Sequence, residues 1–152
     1  MVNGDAELQR CTNDWTAQSS VPGWRVLRGA ASVLCYSAFE FTQETPVTPS
    51  NMSAGDALFA APGADTAMEQ SVDVSTASAA IDSGTVGFRL SGWLGGWRDR
   101  PERATLTAIF LDQNGQPTGN PIVSADVDAQ ARANLTGLVQ REVDGPVPPG
   151  TR

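Results

Sequence analysis

The chain has 152 residues, long enough for one domain with a real core, and is 40% hydrophobic and 18% charged. Its net charge of −7 disfavours nucleic acid and anionic membrane surfaces as main partners, because both need a basic footprint. All ten cations are arginine, and the absence of lysine and histidine excludes a Ser-His triad, a Schiff-base lysine and a histidine metal ligand.

Met1 leads straight into polar residues, with neither the basic stretch nor the apolar run of a signal peptide, so export carries with it a leader removed from this chain. No apolar run is long enough for a membrane-crossing helix. Cys11 and Cys35 fit either a disulfide or two buried thiols; an even count in a β-rich chain favours the disulfide and an oxidising compartment.

In chain order, Trp24 to Arg28 reads as a short strand after the Pro22-Gly23 turn, and Val33 to Tyr36 as another. Glu44 to Gly55 reads as a surface loop, and Ala57 to Ala60 as a buried strand ended by Pro62-Gly63. Alternation from Met68 through Val74 suggests a half-buried strand, and Ser75 to Ser83 a helical turn. Trp15 and Trp24 are assigned to packing.

The most informative stretch runs from Val86 to Gly115. Val86, Phe88 and Leu90 alternate with Gly87, Arg89 and Ser91, the period of a strand with one buried face. A Trp-, Gly- and Arg-rich loop follows. Leu106, Ala108 and Phe110 then alternate with Thr107, Ile109 and Leu111, apolar on both faces, which predicts a central strand covered twice. Asp112 to Gly115 reads as a hairpin turn rather than a calcium loop, since no acidic residue follows at the required spacing. Pro121 to Ala125 is a return strand, Ala129 to Leu138 is either loop or short helix, and Leu138 to Val143 is strand-like.

Weak helical periodicity and many short punctuated strands predict an all-β single domain over residues 1–152, built as a β-sandwich with a jelly roll as its natural version. Within that class the residues carry a resemblance. Asn3-Gly4-Asp5-Ala6-Glu7, Pro22-Gly23-Trp24, Gly55 to Gly63, Ile81 to Trp97 and Val147 to Arg152 follow the order of motifs in galactose-binding-like jelly rolls, which include bacterial carbohydrate-binding modules. The resemblance implies a structural calcium ion on Asp5 and Glu7, with Asp56 from a bordering loop. It also implies one or two further strands beyond Arg152, the last bearing a calcium-closing Asp. Their absence leaves three expectations: a shortened sequence, a cleaved native protein, or a second chain that supplies the strands.

For ligand binding the candidates are Trp93, Trp97, Arg98, Asp99 and Arg100, because sugars stack on aromatic rings while Arg and Asp bond their hydroxyls. Packing competes with that role for Trp93 and Trp97. No carboxylate spacing singles out a glycosidase pair, so no catalytic residue is assigned. The expectation is a non-catalytic, extracellular or cell-surface binding module for carbohydrate. The alternative is a structural or adhesion module of a bacterial surface protein that associates through its strand edges.

Overall fold

The computed structural model describes residues 1–38, 55–63, 65–124 and 126–152. The Glu44 to Gly55 loop expectation therefore lies outside the described residues, Gly55 excepted. The protein is mostly strand with little helix, as an all-β fold requires. Two compact units divide it, Met1–Val72 and Asp73–Arg152.

The first unit holds β1 (Arg25–Arg28), β2 (Ser32–Cys35), β3 (Ala57–Ala60) and β4 (Ala67–Glu69). β2 and β3 pair antiparallel from Ser32 opposite Ala60 to Cys35 opposite Ala57. β1 pairs antiparallel with β4, with an irregularity between Val26 and Arg28. The positive φ of Gly23 (80°) turns the chain into β1, a conformation open to glycine without steric cost. Ala6, Val21, Ala31, Val33 and Ala57 form the buried cluster, with Trp24, Phe59 and Met68 packed against it. Trp24 meets Phe59 edge-on at 5.6 Å between centroids, and its Nε1–H donates to Asn3 O at 3.0 Å, so both its apolar body and its polar tip are used. Trp15, by contrast, lies at the surface.

Cys11 and Cys35 form a disulfide. Thr12 N–H donates to Val33 O and Cys35 N–H to Thr12 O, both at 2.9 Å, so the N-terminal segment runs beside β2 as a parallel bridge next to the covalent tie.

In the second unit, a 3-10 turn at Ser75–Ala77 runs into α1 (Ser78–Asp82), as the helical-turn expectation has it. β5 (Gly87–Gly96) and β8 (Gly137–Pro146) form a ten-residue antiparallel ladder in unbroken register, from Gly87 opposite Pro146 to Gly96 opposite Gly137. β6 (Thr107–Ala108) and β7 (Ile122–Val123) pair antiparallel over two residues. Between them Asp112 Oδ1 accepts the N–H groups of Asn114 and Gln116, each at 2.8 Å, which makes the turn.

Three local readings change. The strand expected from Met68 to Val74 is confined to Ala67–Glu69. The ambiguous Ala129 to Leu138 stretch is a 3-10 turn at Gln130–Arg132 followed by the start of β8. The Leu106 to Leu111 segment is not a central strand covered twice, since Ile109 is 56% exposed and Leu111 36%. One of its faces packs: Phe110 meets the Phe88 ring at 5.1 Å, and Leu106 lies over Gly92, where a Cβ would come within 3.2 Å of Leu106 Cδ2. The Ile109 and Leu111 side faces solvent, because a two-residue ladder places no second layer over it.

Candidate functional site

β5 extends further than its sequence suggests. Trp93 belongs to the strand, opposite Gln140, and is half-buried. A Cβ on Gly95 would come 1.9 Å from Gly137 O, so glycine here answers a close backbone approach inside the ladder rather than a loop. The aromatic and arginine connector shrinks to a turn that starts at Trp97.

That turn is firmly built. Trp97 N–H donates to Glu102 Oε1 at 2.9 Å, and Arg100 N–H to Trp97 O at 3.1 Å. Arg98 takes the left-handed conformation (φ 45°), which a non-glycine residue adopts only where its surroundings hold it. Two buried groups do so. Arg98 N–H donates to Thr136 Oγ1 at 3.2 Å, and Arg132 Nη1 donates to Arg98 O at 3.0 Å. The guanidinium of Arg98 stands 5.0 Å from the Trp97 ring centroid, a cation–π contact. Asp99 and Arg100 point outward beside it, exposed. The structure thus brings Trp97, Arg98, Asp99 and Arg100 onto one turn and leaves Trp93 in the strand.

Arg132 is the residue that sequence reading missed. It is 1% exposed, in a stretch of small residues with no charge pattern to mark it. Its Nη1 serves the carbonyls of Arg98 and Leu135, while its Nε and Nη2 are buried with no hydrogen-bond partner. Burial pulls its pKa below the ordinary arginine value, with Glu102 and Asp128 opposing the shift.

Of the carboxylates expected to hold calcium, Glu7 and Asp5 accept backbone N–H groups. Glu7 Oε1 accepts the backbone N–H groups of Asp56 at 2.7 Å and Ala57 at 2.9 Å. Asp5 Oδ1 accepts Glu7 N–H at 3.4 Å, a turn contact. Among the described residues no group of three or more acidic or cysteine side chains is placed to hold a metal. Calcium takes six to eight oxygens, many of them from backbone carbonyls and water. Glu7 acts as a hydrogen-bond acceptor that pins the N-terminal segment to the start of β3. Glu7, Arg10, Cys11 and Asp56 border a shallow, open depression of about 460 Å³. Nearby, burial and then Glu7 raise the Tyr36 phenol above its usual pKa.

Compared with known proteins, the chain matches no family model, no curated protein and no solved structure.

Proposed function

We propose that the protein is a non-catalytic, extracellular carbohydrate-binding module with a galactose-binding-like jelly-roll plan, and that the Trp97–Arg100 turn contributes its ligand contacts. The observation that carries the reading is the turn itself. A half-buried indole lies beside exposed Arg98, Asp99 and Arg100, on a backbone fixed from below by Arg132 and Thr136. Sugar sites combine an aromatic platform with a few fixed polar groups, and rigid support lowers the ordering cost of binding. The Cys11–Cys35 disulfide agrees with an oxidising compartment. A glycan array with the wild type and Trp97→Ala tests the reading. Binding that Trp97→Ala abolishes supports it; no binding, or binding unchanged by the substitution, overturns it.

A specific feature favours a second reading, an assembly module acting through its own surface. Ile109 and Leu111, in the segment after β6, and Val123 of β7 are exposed, at 56%, 36% and 54%. Single exposed apolar residues are ordinary, but three around one short ribbon are a reason to associate. Light scattering after size exclusion, without sugar, separates the two: a concentration-dependent oligomer abolished by Ile109→Asp supports assembly, and a monomer at all concentrations removes it.

A further inference from the structure

Arg132 presents an unusual division of labour within one guanidinium. Nη1 is used twice, on the carbonyl oxygens of Arg98 and Leu135. The opposite edge, Nε–H with Nη2–H, is buried and has no partner. That edge is the side-on fork that matches the two oxygens of a carboxylate. A buried donor without a hydrogen-bond partner is costly even with the Glu102 and Asp128 carboxylates acting on the cation, which makes an unused fork in a fixed position an observation that asks for an anion.

The fork faces a definable place. A Cβ on Gly96 would lie 2.8 Å from Arg132 Nη2 and 3.1 Å from Glu102 Cγ, so the free edge and the Glu102 side chain flank the same bare glycine. Glu102 Oε1 is turned to Trp97 N–H instead. Glu102 is exposed and can leave into water; its departure frees Trp97 N–H beside the Arg132 edge. Outside, Arg100 has no side-chain partner among the described residues, and Arg98 sits over Trp97.

We propose that this turn is a carboxylate-binding site for acidic sugars, with Arg132 as the cation at its floor and Glu102 as the internal carboxylate that a ligand displaces. The proposal rests on the carbohydrate reading and names its ligand class, a uronate. The sugar carboxylate takes the fork of Arg132 and the N–H of Trp97, its ring lies along the Trp97 edge of the turn, and Arg100 meets it from solvent. One carboxylate replaces another, so the charge around Arg132 is conserved on exchange.

The test is isothermal titration of the intact chain with trigalacturonate and with neutral galactotriose. Wild type, Glu102→Ala, Arg132→Lys and Arg100→Ala are compared, each checked for folding by circular dichroism. The expected pattern has opposite signs. Wild type binds the acidic trimer in preference to the neutral one. Glu102→Ala tightens acidic binding about tenfold, because its internal competitor is gone, and Arg132→Lys weakens it about tenfold or more, because a lysine has no fork. Should Arg132→Lys fail to fold, the Glu102→Ala result decides alone. Equal binding of both trimers overturns the uronate inference and leaves the carbohydrate reading standing. Binding of neither overturns the uronate inference, and the glycan array then decides the carbohydrate reading. Acidic binding that Glu102→Ala weakens or leaves unchanged, or that Arg100→Ala abolishes while Arg132→Lys has no effect, also overturns the inference.

Discussion

Glu7 and Asp56 meet as acceptor and donor: Oε1 of Glu7 takes the backbone N–H of Asp56 at 2.7 Å, and that of Ala57 at 2.9 Å. The two residues are joined through the side chain of one and the backbone of the other. Glycine at position 55 makes room for this, since its φ is 64° and a Cβ would lie 2.2 Å from Glu7 Oε1.

Glu7→Ala removes the acceptor and leaves two backbone donors to water or to nothing, at an expected cost of about 1 to 2 kcal/mol. Gly55→Ala displaces the same carboxylate and strains a left-handed residue, at about 1 to 2 kcal/mol. Because both changes break one contact, the double variant is expected to fall short of the sum. Urea denaturation of the four proteins checks this; strict additivity would show that the two residues act separately.

Calcium is expected to leave the melting temperature unchanged within about 1 °C, judged against a shift of several degrees per kcal/mol for a domain of this size. Scanning calorimetry with excess calcium and with EDTA measures it. A calcium-dependent rise that disappears in Glu7→Gln would restore a metal role to this carboxylate.

The disulfide ties the N-terminal segment to the end of β2. Its loss is expected to cost about 3 kcal/mol by loop entropy. Melting with and without reductant, alongside the Cys11→Ser/Cys35→Ser double variant, gives the number. Identical curves would mean that the hydrogen bonds around Thr12 hold the segment alone.

Arg152 grips Asp82 through both terminal nitrogens, at 3.0 Å and 2.7 Å, and Gly150 N–H donates to the same carboxylate at 2.9 Å. The hydrogen bond from Arg152 is the first cause of a lowered Asp82 pKa, and that from Gly150 the second. A carboxyl group whose folded pKa lies below its unfolded value adds stability above the unfolded value. That stability is lost as pH falls through the folded pKa. Stability is therefore expected to be flat in this respect above about pH 5 and to decline below about pH 4. Asp82→Asn should flatten part of the acid limb. Denaturation midpoints from pH 2 to 7 for both proteins test it, and superimposable pH profiles would remove Asp82 from the account. Asp14, Asp73 and Asp112, lowered by local turn hydrogen bonds, supply further parts of the same limb.

Arg132→Ala is expected to destabilise the protein by about 2 to 4 kcal/mol, because the carbonyls of Arg98 and Leu135 lose a buried donor and a cavity opens. Chemical denaturation measures the loss. A variant as stable as the wild type would mean that the left-handed turn at Arg98 holds itself.

Several elements are marked by their local sequence alone. β2 and β3 are short apolar runs bounded by turn residues, and the first half of β5 alternates strictly, so a few neighbouring residues suffice to mark them. The second half of β5 is hidden because Gly95 and Gly96 resemble loop punctuation, whereas Gly95 admits the backbone of Gly137 and Gly96 leaves room for the side chains of Arg132 and Glu102. The Leu106 to Leu111 pattern misled for a complementary reason. Two apolar faces allow burial on both sides but do not supply the second layer, and here only the Phe88 side has one. In the candidate site, Trp97, Arg98, Asp99 and Arg100 were visible because they are adjacent. Arg132 and Glu102 were not, since an arginine in a small-residue stretch and one carboxylate among seventeen carry no pattern.

By itself, then, the sequence determined the all-β class, the turn residues, the pair of cysteines able to close the N-terminal third, and the absence of histidine and lysine chemistry. These depend on residue type and on spacings of a few positions, which the chain carries wherever it goes. Only the tertiary structure decided that β5 pairs with β8, that Glu7 docks on backbone donors, and that a buried guanidinium supports the Trp97 turn with one edge unused. Those relations arise from closing long loops, and the burial that makes an unpaired donor costly exists only once the chain has folded around it.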